Sequence, residues 1–221
     1  MLYIVATPIG NLEDITYRAV RILKEADYVF AEDTRVTKKL LNHYEIDTVV
    51  YRYDEFTKGH QIDNIMSLLK SGKSIALVTD AGTPCISDPG FELADAALNN
   101  EIKVVPIPGA SSMTAAASVA GLNMKRIAFE GFLPKKKGRQ TLLKKLATEE
   151  RAVILFESPH RIEKTVGEIH EFMGEREIVI VREITKIYEE IIRGTTTEVA
   201  KRLKEKPIKG EIVLIIKAKE D

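Results

Sequence analysis

Short runs of Val, Ile, Leu and Phe alternate along the first half of the chain with longer stretches in which apolar positions recur every three or four residues. The compact runs, Leu2 to Ala6, Tyr28 to Ala31, Thr48 to Tyr51, Ser74 to Thr79 and Ile102 to Val105, predict β-strands bounded by turn or cap residues. The periodic stretches near Tyr17 to Glu25, Val36 to His43, Gln61 to Ser71 and Phe91 to Leu98 predict helices. In the third of these, Ile62, Ile65, Leu68 and Leu69 share one face. Such βαβα alternation predicts an α/β domain, a mostly parallel sheet with helices on both faces.

Beyond Pro106-Ile107-Pro108-Gly109, an Ala- and Ser-rich stretch from Ser111 to Ala120 predicts a helix with Gly121 as its C-cap. The pattern then changes. Strands are predicted at Ile127 to Phe132, Ala152 to Phe156, Ile178 to Val181, Glu189 to Arg193 and Glu211 to Lys217, with helices near Arg139 to Ala147, Arg161 to Phe172 and Thr197 to Lys204. This predicts a second, α+β domain with a mixed sheet, and divides the chain into residues 1–121 and 122–221.

The 221 residues are 44% apolar and 30% charged, the composition of a folded globular protein rather than a disordered one. The sequence predicts neither a membrane span nor a signal peptide. A single cysteine, Cys85, excludes an intrachain disulfide, and the four histidines lack metal-ligand spacing, so no metal is expected and the cytoplasm is the expected compartment. Lys plus Arg and Asp plus Glu are balanced at 33 each, so any attraction to nucleic acid must be local. A local excess exists: Lys125, Arg126, Lys135, Lys136, Lys137, Arg139, Lys144 and Lys145 are opposed within their stretch only by Glu130.

Three loops rich in Pro and Gly follow predicted parallel strands, where ligands bind in open α/β sheets. Val5 to Thr16 carries Pro8, Ile9 and Gly10; Thr79 to Gly90 carries Ala81, Gly82 and Thr83; Ile107 to Ser112 carries Gly109 ahead of a helix N-terminus. Together they point to a small-molecule site, whereas the absence of GxxxxGK[ST] and of GxGxxG after the first strand argues against a nucleoside triphosphate or nicotinamide enzyme. Asp80 and Asp88 either project carboxylates into that region or belong to a turn in which Asp88, before Pro89, caps the following helix. Glu32, Asp33 and Arg35 form either an active-site network or a capped, salt-bridged helix start. The segment Gly131 to Arg139 is a loop with a positive tip, suited to phosphate contact or to simple solvation. His160, in the segment Phe156 to Arg161, reads as a capping or surface histidine.

The ordered set VATPIGNLEDIT, AEDTR, DAGTPCISDPG, PIPGASS, GFLPKKKGR, FESPHRI and REITK, spanning Leu2 to about Lys217, resembles the ribosomal RNA small-subunit methyltransferase I family of the tetrapyrrole-methylase superfamily. The resemblance implies a two-domain fold holding S-adenosylmethionine folded between the domains, usually in a homodimer. It implies 2′-O-methylation of a cytidine in the decoding region of 16S rRNA, within the 30S subunit. By position it implies cofactor contacts at Pro8, Ile9 and Gly10, at Asp80, Ala81, Gly82 and Thr83, and at Ser111 and Ser112, with Phe156 and the stretch around Glu211 completing the site. Many members of that family carry a further helical segment after the final strand, whereas this sequence runs to Asp221.

For such a reaction the protein must align oxygen, carbon and sulfur and remove one proton. Asp88 is the expected base, with Glu32 or Asp33 as the alternative, and Arg35 would orient a phosphate or a carboxylate. Lys135, Lys136, Lys137 and Arg139 would guide the RNA backbone. A C-methyltransferase acting on a precorrin-type tetrapyrrole and a non-catalytic, RNA-binding assembly factor are the competing readings. The first is disfavoured by the basic loop, and the second leaves the three Pro/Gly loops unexplained.

Overall fold

In the computed structural model, residues 1–219 are described, with Lys58 described by its backbone alone. The chain divides into two compact units, Met1–Ser111 and Ser112–Asp221.

In the first unit, strands β1 (Leu2–Val5), β2 (Tyr28–Ala31), β3 (Val50–Arg52), β4 (Ile75–Val78) and β5 (Val104–Ile107) alternate with helices α1 (Tyr17–Glu25), α2 (Thr34–His43), α3 (Lys58–Lys70) and α4 (Phe91–Asn99). The strands form one sheet in the order β3-β2-β4-β1-β5, and every pairing is parallel. Helix α1 starts where the Thr16 hydroxyl accepts the Ala19 N–H, and it buries Ala19, Ile22 and Leu23. Those residues join Val5, Val29, Ala31, Ala76, Val78 and Leu41 of α2 on one face of the sheet. On the other face Ile65, Met66 and Leu69 of α3 and Leu93 and Ala97 of α4 pack on Leu2, Phe30, Ile75 and Leu77. Burying each large aliphatic side chain contributes roughly 1.5–3 kcal/mol, so both layers are held mainly by this alternation.

The last strand of this sheet lies two residues later than the pattern predicts and includes Pro106. A proline is tolerated there because β5 is an edge strand, with β1 as its sole partner in the sheet.

The second unit contains α5 (Ser112–Val119), β6 (Ile127–Phe132), α6 (Arg139–Leu146), β7 (Ala152–Glu157), α7 (Ile162–Met173), β8 (Glu177–Arg182), β9 (Glu190–Thr195), α8 (Thr196–Glu205) and β10 (Ile212–Ile216). Its sheet runs β6-β7-β10-β8-β9; β6 and β7 are parallel and the remaining neighbours antiparallel. Successive residues of the central strands serve opposite layers. Val153, Leu155, Ile178, Ile180, Ile212 and Leu214 meet α6, α7 and α8, whereas Ile154, Val179, Val181, Val213 and Ile215 meet α5 through Ala116 and Ala120. Helix α5 is thus built into the second unit, and the division falls at Ser111/Ser112 rather than at the change of composition after Gly121. Its small apolar residues pack on that sheet face together with Leu122 and Met124, a role its sequence alone does not reveal.

A buried ionic network ties two of the sequence motifs together. Arg139, expected at the tip of the basic loop, is only 4% exposed. It donates to Glu168 at 2.7 Å, to the Thr165 hydroxyl at 2.7 Å and to the Pro134 carbonyl at 3.3 Å. Thr165 in turn donates to Glu157 at 2.6 Å, and Arg161 pairs with the other Glu157 oxygen at 2.7 Å. Arg139 is therefore a structural cation and not an RNA contact, because its guanidinium is already committed inside the unit. Breaking a buried pair on one side leaves charges without compensation. We expect Arg139→Leu to lower unfolding free energy by about 3–5 kcal/mol, whereas Lys136→Ala, on the exposed loop, changes it by less than about 0.5 kcal/mol; denaturant titration of both variants measures the contrast.

Candidate functional site

Because all strands of the first sheet are parallel, their carboxyl ends share one edge. The chain leaves β1 and β2 toward the α1/α2 face and leaves β4, which lies between them, toward the α4 face. Connections that depart in opposite directions open a crevice at that edge, the usual ligand position in such sheets.

Three loops converge there. Thr7 and Gly82 exchange backbone hydrogen bonds at 2.9 and 3.0 Å, joining the loop after β1 to the loop after β4. The Thr7 hydroxyl donates to the Thr79 carbonyl at 3.1 Å, and the Thr83 hydroxyl donates to the Ala110 carbonyl at 3.3 Å, which brings in the loop after β5. A Cβ on Gly82 would stand 3.5 Å from the Ile9 side chain, and one on Gly109 would stand 2.9 Å from the Ala6 Cβ. Glycine at 109 therefore permits the β5 loop to approach the end of β1. Pro8 and Ile9 are buried, whereas Gly10, Asp80 and Ala81 are exposed. Ser111 follows Ala110 directly, and Ser112 opens α5.

Four carboxylates line this edge. Asp33 is the N-cap of α2; its carboxylate accepts the Arg35 N–H at 2.8 Å and is gripped by the Arg35 guanidinium, with the closest contact at 2.6 Å. The guanidinium, with the Arg35 N–H, holds the Asp33 carboxyl far below the usual carboxylate range. Asp33 is consequently removed from the candidate bases, since an acceptor so fully engaged has little affinity for a proton. The Arg35 side chain, oriented by this pair, remains 87% exposed. Asp80 accepts the Asp33 N–H at 2.9 Å, and its carboxyl is shifted upward, by partial burial first and by the charges of Glu32 and Asp33.

Asp88 does not cap the next helix, as its position before Pro89 allowed. Helix α4 starts at Phe91 with Gly90 as N-cap, at φ 137°, where a Cβ would stand 2.7 Å from Leu77 and 2.8 Å from the Cys85 sulfur. The Asp88 side chain is half-buried at the crevice. Burial pushes its carboxyl up to about 6, the charges of Glu32 and Asp80 add to the shift, and a hydrogen bond with Thr79 works against it. The Thr79 hydroxyl also donates to Glu32 at 2.8 Å. Thr79 and Thr7, both buried, are site residues that the sequence reading passed over. Their signal is a threonine at the end of an apolar strand immediately before a Pro/Gly loop.

The remaining candidates lie in the second unit. Phe156, on β7, packs its ring against Phe129 and Phe132 at centroid distances of 5.0 and 5.5 Å. The Glu211 side chain pairs with Lys186 at 3.0 Å, and its N–H donates to Glu183 at 2.8 Å. Lys135, Lys136 and Lys137 are exposed on the loop between β6 and α6. Among the described residues no cluster of His, Cys, Asp or Glu could hold a metal ion, and no helix is long and apolar enough to cross a membrane.

The Asp88 shift carries a stability consequence. A carboxyl whose folded pKa of about 6 exceeds its ordinary 3.8 binds more protons when folded, so stability falls as pH rises from about 4 through 6. Asp88→Asn should unfold at a higher temperature than the parent at pH 7.5, with the difference shrinking toward pH 4. Solvent at this half-exposed position screens the effect, keeping it below the roughly 1.4 kcal/mol per pH unit of a full proton. Melting curves of both proteins across that range provide the check.

Residues 1–200 match the family model for tetrapyrrole (corrin/porphyrin) methylases. A Halalkalibacterium halodurans protein named ribosomal RNA small subunit methyltransferase I is 48% identical over 216 residues, covering 97% of this chain and 75% of that protein. A Thermotoga maritima protein of the same name is 45% identical over 219 residues, 99% of each. The fold is shared with solved structures of diphthine synthase, at TM-score 0.75 and 18% identity over 98% of this chain and 89% of the other. It is shared also with a cobalt precorrin-4 methyltransferase, at TM-score 0.71 and 19% identity over 98% of this chain and 94% of the other. With the fold common to the superfamily and close to half of all positions retained along almost the entire length, the chain belongs to the tetrapyrrole methylases and, within them, to the ribosomal RNA small subunit methyltransferase I family.

Proposed function

We propose that this protein methylates the ribose 2′-hydroxyl of a cytidine in the decoding region of 16S rRNA, working as a cytoplasmic homodimer on the 30S subunit with S-adenosylmethionine as cofactor. The observation that carries the reading is the half-buried Asp88 carboxyl, with a pKa near 6, at the edge where the three Pro/Gly loops converge.

The residues at that edge fit the cofactor. Glu32, Asp33, Asp80 and Asp88 outweigh Arg35, so the local field favours a ligand with positive charge. Small residues, Ala81 and Ala110, leave the backbone of the converging loops open to the approach of a nucleoside. When bound, S-adenosylmethionine supplies an electrophilic methyl group on a sulfonium sulfur. Pro8, Ile9, Gly10, Asp80 to Thr83 and Ser111 are the residues of this unit that would hold it.

The protein then has to align the hydroxyl with the methyl carbon and accept one proton. A general base works best with a pKa just below the working pH, where it is ionised yet still basic. Asp88 meets that condition near neutrality, and Arg35, with its side chain still largely exposed, would orient a phosphate or a carboxylate. The same acidic edge repels the polyanion, so RNA must be held from elsewhere; Lys135, Lys136 and Lys137 supply exposed positive charge.

Two measurements test the reading. Asp88→Asn should slow methylation of purified 30S subunits by roughly 10²–10⁴-fold while binding S-adenosylmethionine normally in calorimetry; methylation at the parent rate removes Asp88 from the mechanism. Replacing Lys135, Lys136 and Lys137 by Ala should weaken binding of the RNA substrate and flatten its salt dependence, with cofactor affinity retained. Loss of the gene without loss of a ribose methyl in 16S rRNA, read by mass mapping, overturns the function as a whole.

A further inference from the structure

Strand β10 runs antiparallel to both β7 and β8, and β6 runs parallel to β7. Strands β6, β7 and β8 therefore point the same way, and the loops that follow them leave one end of the second sheet, where β10 begins. Those loops carry the exposed lysines Lys135, Lys136 and Lys137, the exposed His160, and the segment from Glu183 to Glu189, which takes no part in aligning or deprotonating a hydroxyl.

The loop between β8 and β9 holds an unusual backbone. Glu183 and Thr185 have φ of 50° and 66°, the left-handed region that a β-branched residue such as threonine rarely adopts. Hydrogen bonds keep it there. The Lys186 N–H donates to the Glu183 carbonyl at 3.0 Å, the Glu189 N–H to the Lys186 carbonyl at 3.1 Å, and the Thr185 N–H to the Glu189 carboxylate at 2.6 Å. The Lys186 ammonium bridges Glu183 and Glu211, 3.0 Å from each. At the tip of this pinned loop stand Ile187, 94% exposed, and Tyr188, 69% exposed. Strained backbone fixed on all sides is the mark of a functional segment, and here it presents two large apolar side chains to water.

The same tip lies beside a cation. The Arg182 guanidinium donates to the Tyr188 carbonyl at 3.2 Å and to the Lys209 carbonyl at 2.5 Å, so an exposed aromatic and an exposed lysine stand on adjoining pieces of chain. The acids around them are engaged: Glu183 and Glu211 by Lys186, Glu189 by the Thr185 N–H, and Glu190 by Arg182 and Arg202. Lys209 is outside those pairs. An aromatic face with an ammonium beside it suits one nucleotide, its base stacked on the ring and its phosphate on the charge. A stable protein interface would require a far larger apolar area than one loop tip.

We propose that Tyr188 stacks an unpaired base of the RNA substrate while Lys209 contacts the adjoining phosphate, so that this end of the second sheet is a track for single-stranded RNA running toward the lysines of the β6–α6 loop. Strand β8 lies three strand spacings from β6, about 14 Å, a distance that a few nucleotides bridge. The inference rests on the RNA-methylating function proposed above and adds the feature of the substrate that is gripped, an unpaired segment.

Fluorescence anisotropy with a fluorescein-labelled, unstructured single-stranded RNA, read across a salt series, tests the grip on the full chain. Tyr188→Ala should weaken binding about tenfold at every salt concentration, because stacking releases no counterions, and Tyr188→Phe should bind as the parent does. Lys209→Ala should instead reduce the slope of log affinity against log salt by about one. On 30S subunits Tyr188→Ala should raise the KM for the subunit about tenfold, with kcat and S-adenosylmethionine affinity retained. Both side chains are exposed, so the variants keep the fold, and equal melting temperatures verify it.

A parent that binds no single-stranded RNA, parent-like affinity in Tyr188→Ala, or equal loss in the alanine and phenylalanine variants overturns the grip. So does a Tyr188→Ala protein that sediments at a smaller mass than the parent with RNA affinity intact, since the tip is then a contact between copies of this chain. If 16S rRNA stays unmethylated while the tyrosine dependence holds, the function fails and the RNA grip stands; normal methylation with a neutral Tyr188→Ala fails the grip alone.

Discussion

Strand β4 is hydrogen-bonded in parallel register between β1 and β2, and the chemistry of the first unit follows from that pairing. Parallel register delivers the ends of all three strands to one edge, and the opposite winding of their connections keeps helices from covering it. The pairing also brings Glu32, after β2, within 2.8 Å of the Thr79 hydroxyl at the end of β4, 47 residues further along the chain. Without the sheet, the acids would be solvated side chains of ordinary acidity. Within it, burial and the charges of Glu32 and Asp80 push the Asp88 carboxyl up to about 6.

The second unit answers a different physical demand. Its loop between β6 and α6 must present lysines to solvent yet remain anchored, and the anchor is the Arg139, Glu157, Thr165, Arg161 and Glu168 network. Arg161 also donates to the Leu133 carbonyl at 3.2 Å, pinning the start of the same loop. Of the basic residues that stand so close in sequence, one faces inward and is neutralised, while Lys135, Lys136 and Lys137 face outward. The exposed positive charge of the segment is therefore smaller than its composition suggests, and it is held on a firmer base.

The two kinds of charge also divide the labour. An acidic edge suits a cationic cofactor and a base of raised pKa, but works against a polyanion. Although the chain carries equal numbers of acidic and basic residues, the two are segregated locally, acids at the edge of the first unit and exposed lysines on the loop of the second.

The sequence by itself determined the alternation of strands and helices, the mixed second sheet and the convergence of Pro/Gly loops, because these depend on local periodicity and on residues with restricted or unusual backbone freedom. Ordered motifs along nearly the whole chain likewise sufficed to place it in its family. Only the tertiary structure decided that Arg139 is an internal cation, that Asp33 is spent on capping α2 and binding Arg35, that Asp88 does not cap α4, and that α5 packs on the second sheet. Each of these depends on partners distant in sequence or on burial, and a side chain's charge state and accessibility are set by what surrounds it rather than by what precedes it. Thr79 shows both sides: its place at the end of an apolar strand before a Pro/Gly loop is legible in the sequence, but its contacts with Glu32 and Thr7 exist only because parallel pairing brings the ends of three strands together.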